Sequence, residues 1–355
     1  MTYRELFHQI MFYGDFDRMP VIHWTGWEET HERWYAEGMP RDVNHQEFFN
    51  AVPHFQMIWA NLELFPTFPE EVLEETEEYR IIRQSDGVVC QDWKHKSCIP
   101  HFIDFTLKTA ADWDDFKKRL QPNPARIVDL DQQIANAEKS GLPIAIHSGS
   151  MMGWIRNWMG VQNMSYLMFD DRDVYADMVM TIADLSCWWL DQVLPRMHVK
   201  PDLGFGWEDI CGRSGPLVSP TIFRECVAPG YRKVRSKLEQ YGVTLLGIDT
   251  DGDVTQLLGD WLDAGVNVQF PIEVGTWKGD ALKVRKKYGK ELRVIGNFDK
   301  LTLEKDHAAI EGEIQRLMPL MKEGGFIIMP DHLITPGVAL EDYKWYLDRV
   351  REIRL

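Results

Sequence analysis

The run Val243-Thr244-Leu245-Leu246-Gly247-Ile248 is almost wholly apolar and stops at Asp249-Thr250-Asp251-Gly252-Asp253. A short apolar run closed by turn residues reads as a strand buried on both faces, the kind that parallel sheets use. The same grammar recurs on either side of it. Upstream stand Pro143-Ile144-Ala145-Ile146 and Leu203-Gly204-Phe205-Gly206. Downstream stand Val266-Asn267-Val268-Gln269-Phe270, Arg293-Val294-Ile295-Gly296 and Gly325-Phe326-Ile327-Ile328-Met329. Helix-patterned stretches lie between them, at 173–194, 220–241, 278–288 and 304–323. Such alternation means βα units around a parallel sheet. The burst Pro20-Val21-Ile22-His23-Trp24 and one further β/α step bring the count towards eight. The expected fold is therefore α/β, a (β/α)8 TIM barrel rather than a doubly wound sheet. No G-x-G-x-x-G follows any run, so a dinucleotide site is unsupported.

The first third reads differently. Tyr79-Arg80-Ile81-Ile82-Arg83 and Gly87-Val88-Val89-Cys90 are strand-like, and Ser85-Asp86-Gly87 turns between them. Acidic residues crowd Glu70 to Glu78. This is expected to be an N-terminal helical and β-hairpin insert, antiparallel over about 60–108, on one barrel domain spanning 1–355. A chain of 355 residues is long enough for one barrel and its insert.

Composition excludes several classes. The net charge of −16 leaves no basic face for nucleic acid. Fourteen Trp, 17 Phe and 11 Tyr are too many aromatics for wholesale disorder. Nothing approaches 18 consecutive apolar residues, and Met1-Thr2-Tyr3-Arg4-Glu5 lacks the layout of a signal peptide. Cys90, Cys98, Cys187, Cys211 and Cys226 are scattered and odd in number, with no C-x-x-C. A reducing cytoplasm is the expected location.

In a βα barrel, chemistry sits at the C-terminal ends of the strands. His23, Trp24 and Trp27 follow the first run, His147, Ser148 and Ser150 the next, and Trp207, Glu208 and Asp209 the third. Later ends carry Asp249, Asp251 and Asp253, then Glu273, then Asn297 and Asp299, then Asp331 and His332. Asp253 and Asp299 read best as helix caps. Asp249 and Asp251, two apart, face the same way as they leave a strand. Two such carboxylates need a proton or a cation between them. His332 is a third candidate ligand, and two carboxylates with one imidazole suit zinc or iron(II). An EF-hand is rejected, because the downstream Glu is missing. Neither G-x-S-x-G nor a P-loop occurs. Of the thiols only Cys211, near Glu208, stays in view. Trp24, Trp27 and Trp207 are expected to line a pocket. Arg156 and Arg213 are the rim cations for a substrate carboxylate. His54, His95 and His101 read as structural or surface residues.

Several segments resemble the uroporphyrinogen decarboxylase superfamily, and its methyltransferase-like members above all. They are Arg33-Trp34-Tyr35-Ala36-Glu37-Gly38-Met39-Pro40, Pro100-His101-Phe102-Ile103-Asp104-Phe105, Trp207-Glu208-Asp209-Ile210, Ser214-Gly215-Pro216-Leu217-Val218-Ser219-Pro220, Asp249-Thr250-Asp251-Gly252-Asp253, and Gly324-Gly325-Phe326-Ile327 with Pro330-Asp331-His332. The resemblance covers nearly the whole chain and implies a (β/α)8 barrel. The decarboxylase proper opens its barrel with R-Q-A-G-R, whose arginines hold the substrate's carboxylates. Here Val21-Ile22-His23-Trp24-Thr25-Gly26-Trp27 stands there without an arginine, which argues against a porphyrinogen. The family's zinc methyltransferases use H-x-C-G and a later Cys. Asp249-Thr250-Asp251-Gly252 and His332 take those places, so the resemblance implies a harder metal site.

The expected function is a metal-dependent methyltransferase. It would move a methyl group from a small methylated substrate, a methyl ether or a methylamine, to a corrinoid-binding protein. Asp249, Asp251 and His332 would hold a divalent metal, zinc first. Glu208 and Asp251 would be catalytic, with Glu208 as acid or further ligand. His23, Trp24, Trp27, His147, Arg156, Trp207 and Glu273 would bind substrate. The rival readings are a metal-free decarboxylase of a small or tetrapyrrole-like acid and a non-catalytic binding scaffold. The resemblance also leaves a homodimer open.

Overall fold

The computed structural model describes residues 1–95 and 98–355. Seven parallel strands form the central sheet. They are β1 (Gln56–Ile58), β6 (Ile144–His147), β7 (Leu203–Trp207), β10 (Leu246–Asp249), β11 (Val268–Phe270), β12 (Arg293–Ile295) and β13 (Phe326–Ile327). They lie side by side in chain order. Every residue of β6 and β11 is buried, because helices cover one face and the concave interior covers the other. Each of the six apolar runs quoted above contains a strand, although β10 begins only at Leu246 and β13 ends at Ile327. The four expected helices are found at Arg172–Val193, Pro220–Gln240 with a π-helical turn inside, Ala281–Tyr288 and His307–Glu323.

The expected strand at 20–25 is reduced to isolated bridges. Ile22 pairs with Val52, and Gly26 pairs with Ile334. The His23 N–H donates to the Val52 carbonyl at 3.1 Å, and the Trp27 N–H to the Ile334 carbonyl at 3.1 Å. Residues 22–26 thus touch chain next to both edges of the curled sheet without making a regular ladder. Pro20 has no N–H to give one.

The insert is a four-stranded antiparallel sheet of β2 (Glu71–Glu75), β3 (Tyr79–Arg83), β4 (Val89–Trp93) and β5 (His101–Asp104). The expected strand at 79–83 is β3, and the one at 87–90 starts two residues later as β4. Much of the acidic crowd lies in edge strand β2, where Glu71 pairs with Arg83 at 2.8 Å. Charge on an exposed edge blocks pairing with another chain. Phe105, just past β5, docks the insert on the helix Gly153–Asp170. That helix breaks at Gly160, φ +73°, where a Cβ would lie 2.5 Å from the Phe105 ring. Glycine is required there on both counts.

A two-stranded hairpin, β8 (Cys211–Gly212) and β9 (Gly215–Pro216), follows β7. At the N-terminal end of the sheet, buried Asp202 accepts from Arg4 Nε at 2.8 Å and the Ile144 N–H at 2.6 Å, and pairs with His8. That end is sealed, so a site belongs at the other end. Among the described residues no helix is long and apolar enough to cross a membrane.

Candidate active site

A cavity of about 480 Å³ opens at the C-terminal ends of the strands. Its wall carries five large aromatic rings, those of Trp24, Trp59, Trp154, Phe205 and Trp207. Strand register explains the last two. Phe205 and Trp207 are two apart on β7, so both point inward. His147 ends β6, Asp249 ends β10, and His54 leads into β1.

The His147 ring packs 4.5 Å from Trp59 and 5.9 Å from Trp154. Its Nδ1 lies 3.3 Å from the Ala60 carbonyl. A carbonyl only accepts, so Nδ1 carries the hydrogen and Nε2 is the acceptor. Burial pulls the His147 pKa down to about 4. Burial does the same to His54, also to about 4. Both imidazoles are neutral at pH 7.

Asp249 is the site's unusual acid. Its pKa is pushed up to about 8, by burial first and then by the nearby charge of Asp251, with Asp209 adding to it and His332 opposing. Its neighbours are paired with one another. His332 Nε2 lies 3.2 Å from Asp251 Oδ2. Burial draws the His332 pKa down, but the hydrogen bond and charge of Asp251 more than offset this, and the net shift is upward. Trp24 and Trp27 flank the His332 ring at 6.0 and 6.3 Å. Asp209 pairs with Arg156 at 3.1 Å, and its other oxygen accepts from the Asp251 N–H at 3.3 Å.

The Asp251 loop is pinned from below. The Gly252 N–H donates to Glu273 at 2.8 Å, and Lys300 Nζ lies 3.8 Å from the other Glu273 oxygen. Gly252 has φ +81°, and a Cβ there would lie 2.3 Å from the Cys211 carbonyl oxygen. That atom is backbone and cannot swing away. Gly252→Ala should therefore cost about 1–3 kcal/mol of stability. A lower denaturant midpoint at unchanged m would show it, together with a loss of turnover as Asp251 moves from His332.

Several expectations need correction. Glu208 is fully buried and does not line the cavity. It accepts from the Met151, Met152 and Gly153 N–H groups, each at 2.7 Å, and from the Tyr231 hydroxyl. Burial raises its pKa to about 6, and those donors hold it from going higher. It anchors the start of a cavity-lining helix and has no oxygen free for a substrate or a metal. His23 points away from the cavity. It lies among Trp34, Phe49 and Tyr343, with Nδ1 2.8 Å from the Tyr343 hydroxyl. Burial first, then His45 and His31, lowers its pKa to about 3. Arg156 is spent on Asp209 and packs over the Trp207 ring, so it is no free substrate cation. Glu273 supports the loop rather than facing the cavity. Trp27 stands at the rim, while Trp24 and Trp207 line the wall as expected. Asp253 and Asp299 are turn and cap residues, accepting from the Thr255 and Leu301 N–H groups.

Asp249, Asp251 and His332 do come together, but as an acid beside a hydrogen-bonded His–Asp pair. Among the described residues no three His, Cys, Asp or Glu side chains form a set that would hold a metal ion. The zinc expectation does not fit this arrangement. Sequence reasoning also missed His54, Trp59, Glu63 and Asn157, which all line the cavity. His95 and His101 are exposed, as expected. The missed residues flank β1 or sit on a helix, and β1 is three residues long with a polar start.

Comparison with known proteins bears on this geometry. Residues 206–353 match the uroporphyrinogen decarboxylase (URO-D) family. That stretch holds Asp249, Asp251, Glu273 and His332, and it supports the superfamily resemblance read from the residues. In fold, the chain is similar to a methyltransferase from Methanosarcina mazei, with a TM-score of 0.61 over 99% of this chain and 98% of that one. At 14% identity this is a likeness of fold. No curated protein matches the chain in sequence.

Proposed function

We propose that the chain is a URO-D-type (β/α)8 barrel enzyme. It moves a methyl group from a small methyl ether to a corrinoid presented by a partner protein. The observation that carries this reading is Asp249, a carboxylic acid that keeps its proton at pH 7 in a cavity that, among the described residues, no Lys or Arg lines. An ether oxygen is a poor leaving group unless it is protonated as its bond to carbon breaks. An acid with a pKa of about 8 is charged with a proton at pH 7 and able to give it up.

The aromatic wall grips the donor, and its closeness excludes water from the reacting bond. As the methyl–oxygen bond breaks, the oxygen takes the Asp249 proton and Asp249 is left as a carboxylate. Water at the cavity mouth returns the proton. Burial and the charge of Asp251 keep the ionised form of Asp249 costly, with His332 opposing, so the proton comes back readily. A reduced corrinoid supplies the nucleophile that accepts the methyl group. A cavity of about 480 Å³ suits a small donor and leaves that acceptor to approach from the mouth. A methylammonium donor would leave as a neutral amine and would need no such acid. A decarboxylase would need a cation to seat its carboxylate, and among the described residues no Lys or Arg lines the cavity.

The test is to offer the protein methoxybenzene and reduced cobalamin anaerobically and follow methylcobalamin by absorbance. Turnover is expected at pH 7 and should fall as pH rises through about 8, because Asp249 then loses its proton. Absence of methylcobalamin with release of CO2 from a benzoate would decide for the decarboxylase.

A further inference from the structure

The donor's own chemistry can be read from what the cavity wall lacks. Four indoles and Phe205 line one cavity, with Met57 and Leu62 between polar groups that carry no positive charge. Among the described residues, the cations beside the Asp249–Asp251 loop are already committed. Arg156 binds Asp209, Lys300 faces Glu273, and the His332 imidazole pairs with Asp251. Of the carboxyls that line the cavity, Glu63 is exposed and Asp249 ends β10.

Among the described residues no Lys or Arg lines the wall, so an anionic ligand would have to shed its hydration shell with no cation to receive it, which is costly. An uncharged planar ring meets no such barrier. It gains offset or edge contacts with the indoles and buries apolar area. We infer that the cavity selects an uncharged arene bearing the methyl ether and rejects arenes that carry a carboxylate. This deepens the methyl-transfer reading and rests on it for the identity of the transferred group. The selection by charge stands on the cavity wall alone.

The experiment is calorimetric binding to the full-length protein, without any acceptor present. The probes are methoxybenzene, 4-methoxybenzoate and phenyltrimethylammonium, which share a ring and differ in charge. Methoxybenzene should bind at least about tenfold tighter than the benzoate at pH 7, the ratio expected for one unpaired desolvated charge after partial hydration through the mouth. Tighter binding of the benzoate overturns the inference. So does tighter binding of the ammonium, which would mark the wall as a cation cage. Asn61→Arg places a cation on an exposed lining residue. It should narrow or reverse the preference against the benzoate. If Asn61→Arg folds, by an unchanged melting temperature, and leaves the preference unmoved, the charge argument fails. Binding of methoxybenzene without methyl transfer would sink the function proposed above and leave this inference intact.

Discussion

Asp249→Asn should lower turnover by about 10²–10⁴-fold, the usual worth of a positioned general acid. The amide keeps the shape of the carboxyl but holds no transferable proton. The variant should also lose the decline in rate that the wild type shows above about pH 8. Stability separates this loss from misfolding. The folded chain keeps Asp249 protonated up to about pH 8, while an unfolded Asp titrates near its ordinary 3.8. Between those values the folded state binds more protons than the unfolded one. Stability from this group therefore falls as pH rises through the window. The Asn variant carries no such decline and should melt above the wild type at pH 8. The difference should be about 1–3 kcal/mol, discounted for water in the cavity. Lower melting at pH 8 together with lost activity would remove Asp249 from the chemistry and make it a structural residue.

Glu208→Ala should be the most destabilising single change at this end of the sheet. The carboxylate accepts from the Met151, Met152 and Gly153 N–H groups, which lead into and open the helix at Gly153–Asp170, and from the Tyr231 hydroxyl, all away from water. A helix N-terminus is an anion site, and here the protein supplies its own anion. Alanine leaves those donors buried without a partner, at a cost of about 3–5 kcal/mol. Chemical denaturation at pH 7 reads this directly. Activity should fall as well, because Trp154 and Asn157 line the cavity from that helix. Glu208→Gln is the informative partner. One amide oxygen still accepts, but the amide nitrogen faces N–H groups, so stability should land between the wild type and the alanine variant. A catalytic Glu208 with no structural part would instead give full stability and no turnover.

Much of the fold is legible in the sequence because parallel strands are buried on both faces. Burial on two faces demands continuous apolar runs, and 203–206, 243–248 and 293–296 announce themselves in that way. The strand at Gln56–Ile58 did not, because it is short and begins with Gln56. With it went the position of His54, Trp59 and Glu63, a large part of the cavity wall. The segment at 20–25 shows the reverse case. Its apolar burst reads as a strand, yet its chain meets its neighbours only by bridges.

The site divides along the same line. Sequence alone determined that Asp249, Asp251 and His332 stand at strand ends, since period and turn chemistry place them there. It also read Asp253 and Asp299 as helix caps, which holds for Asp299, while Asp253 caps a turn instead. Only the tertiary structure decided what each charge meets. Glu208 and Asp249 are both carboxyls at strand ends, and no local pattern tells them apart. One is met by three backbone donors and becomes an anchor. The other is met by the charge of Asp251 and a nearly dry wall, and keeps its proton. A titratable group takes its role from dielectric and neighbours, and those come from segments up to hundreds of residues away.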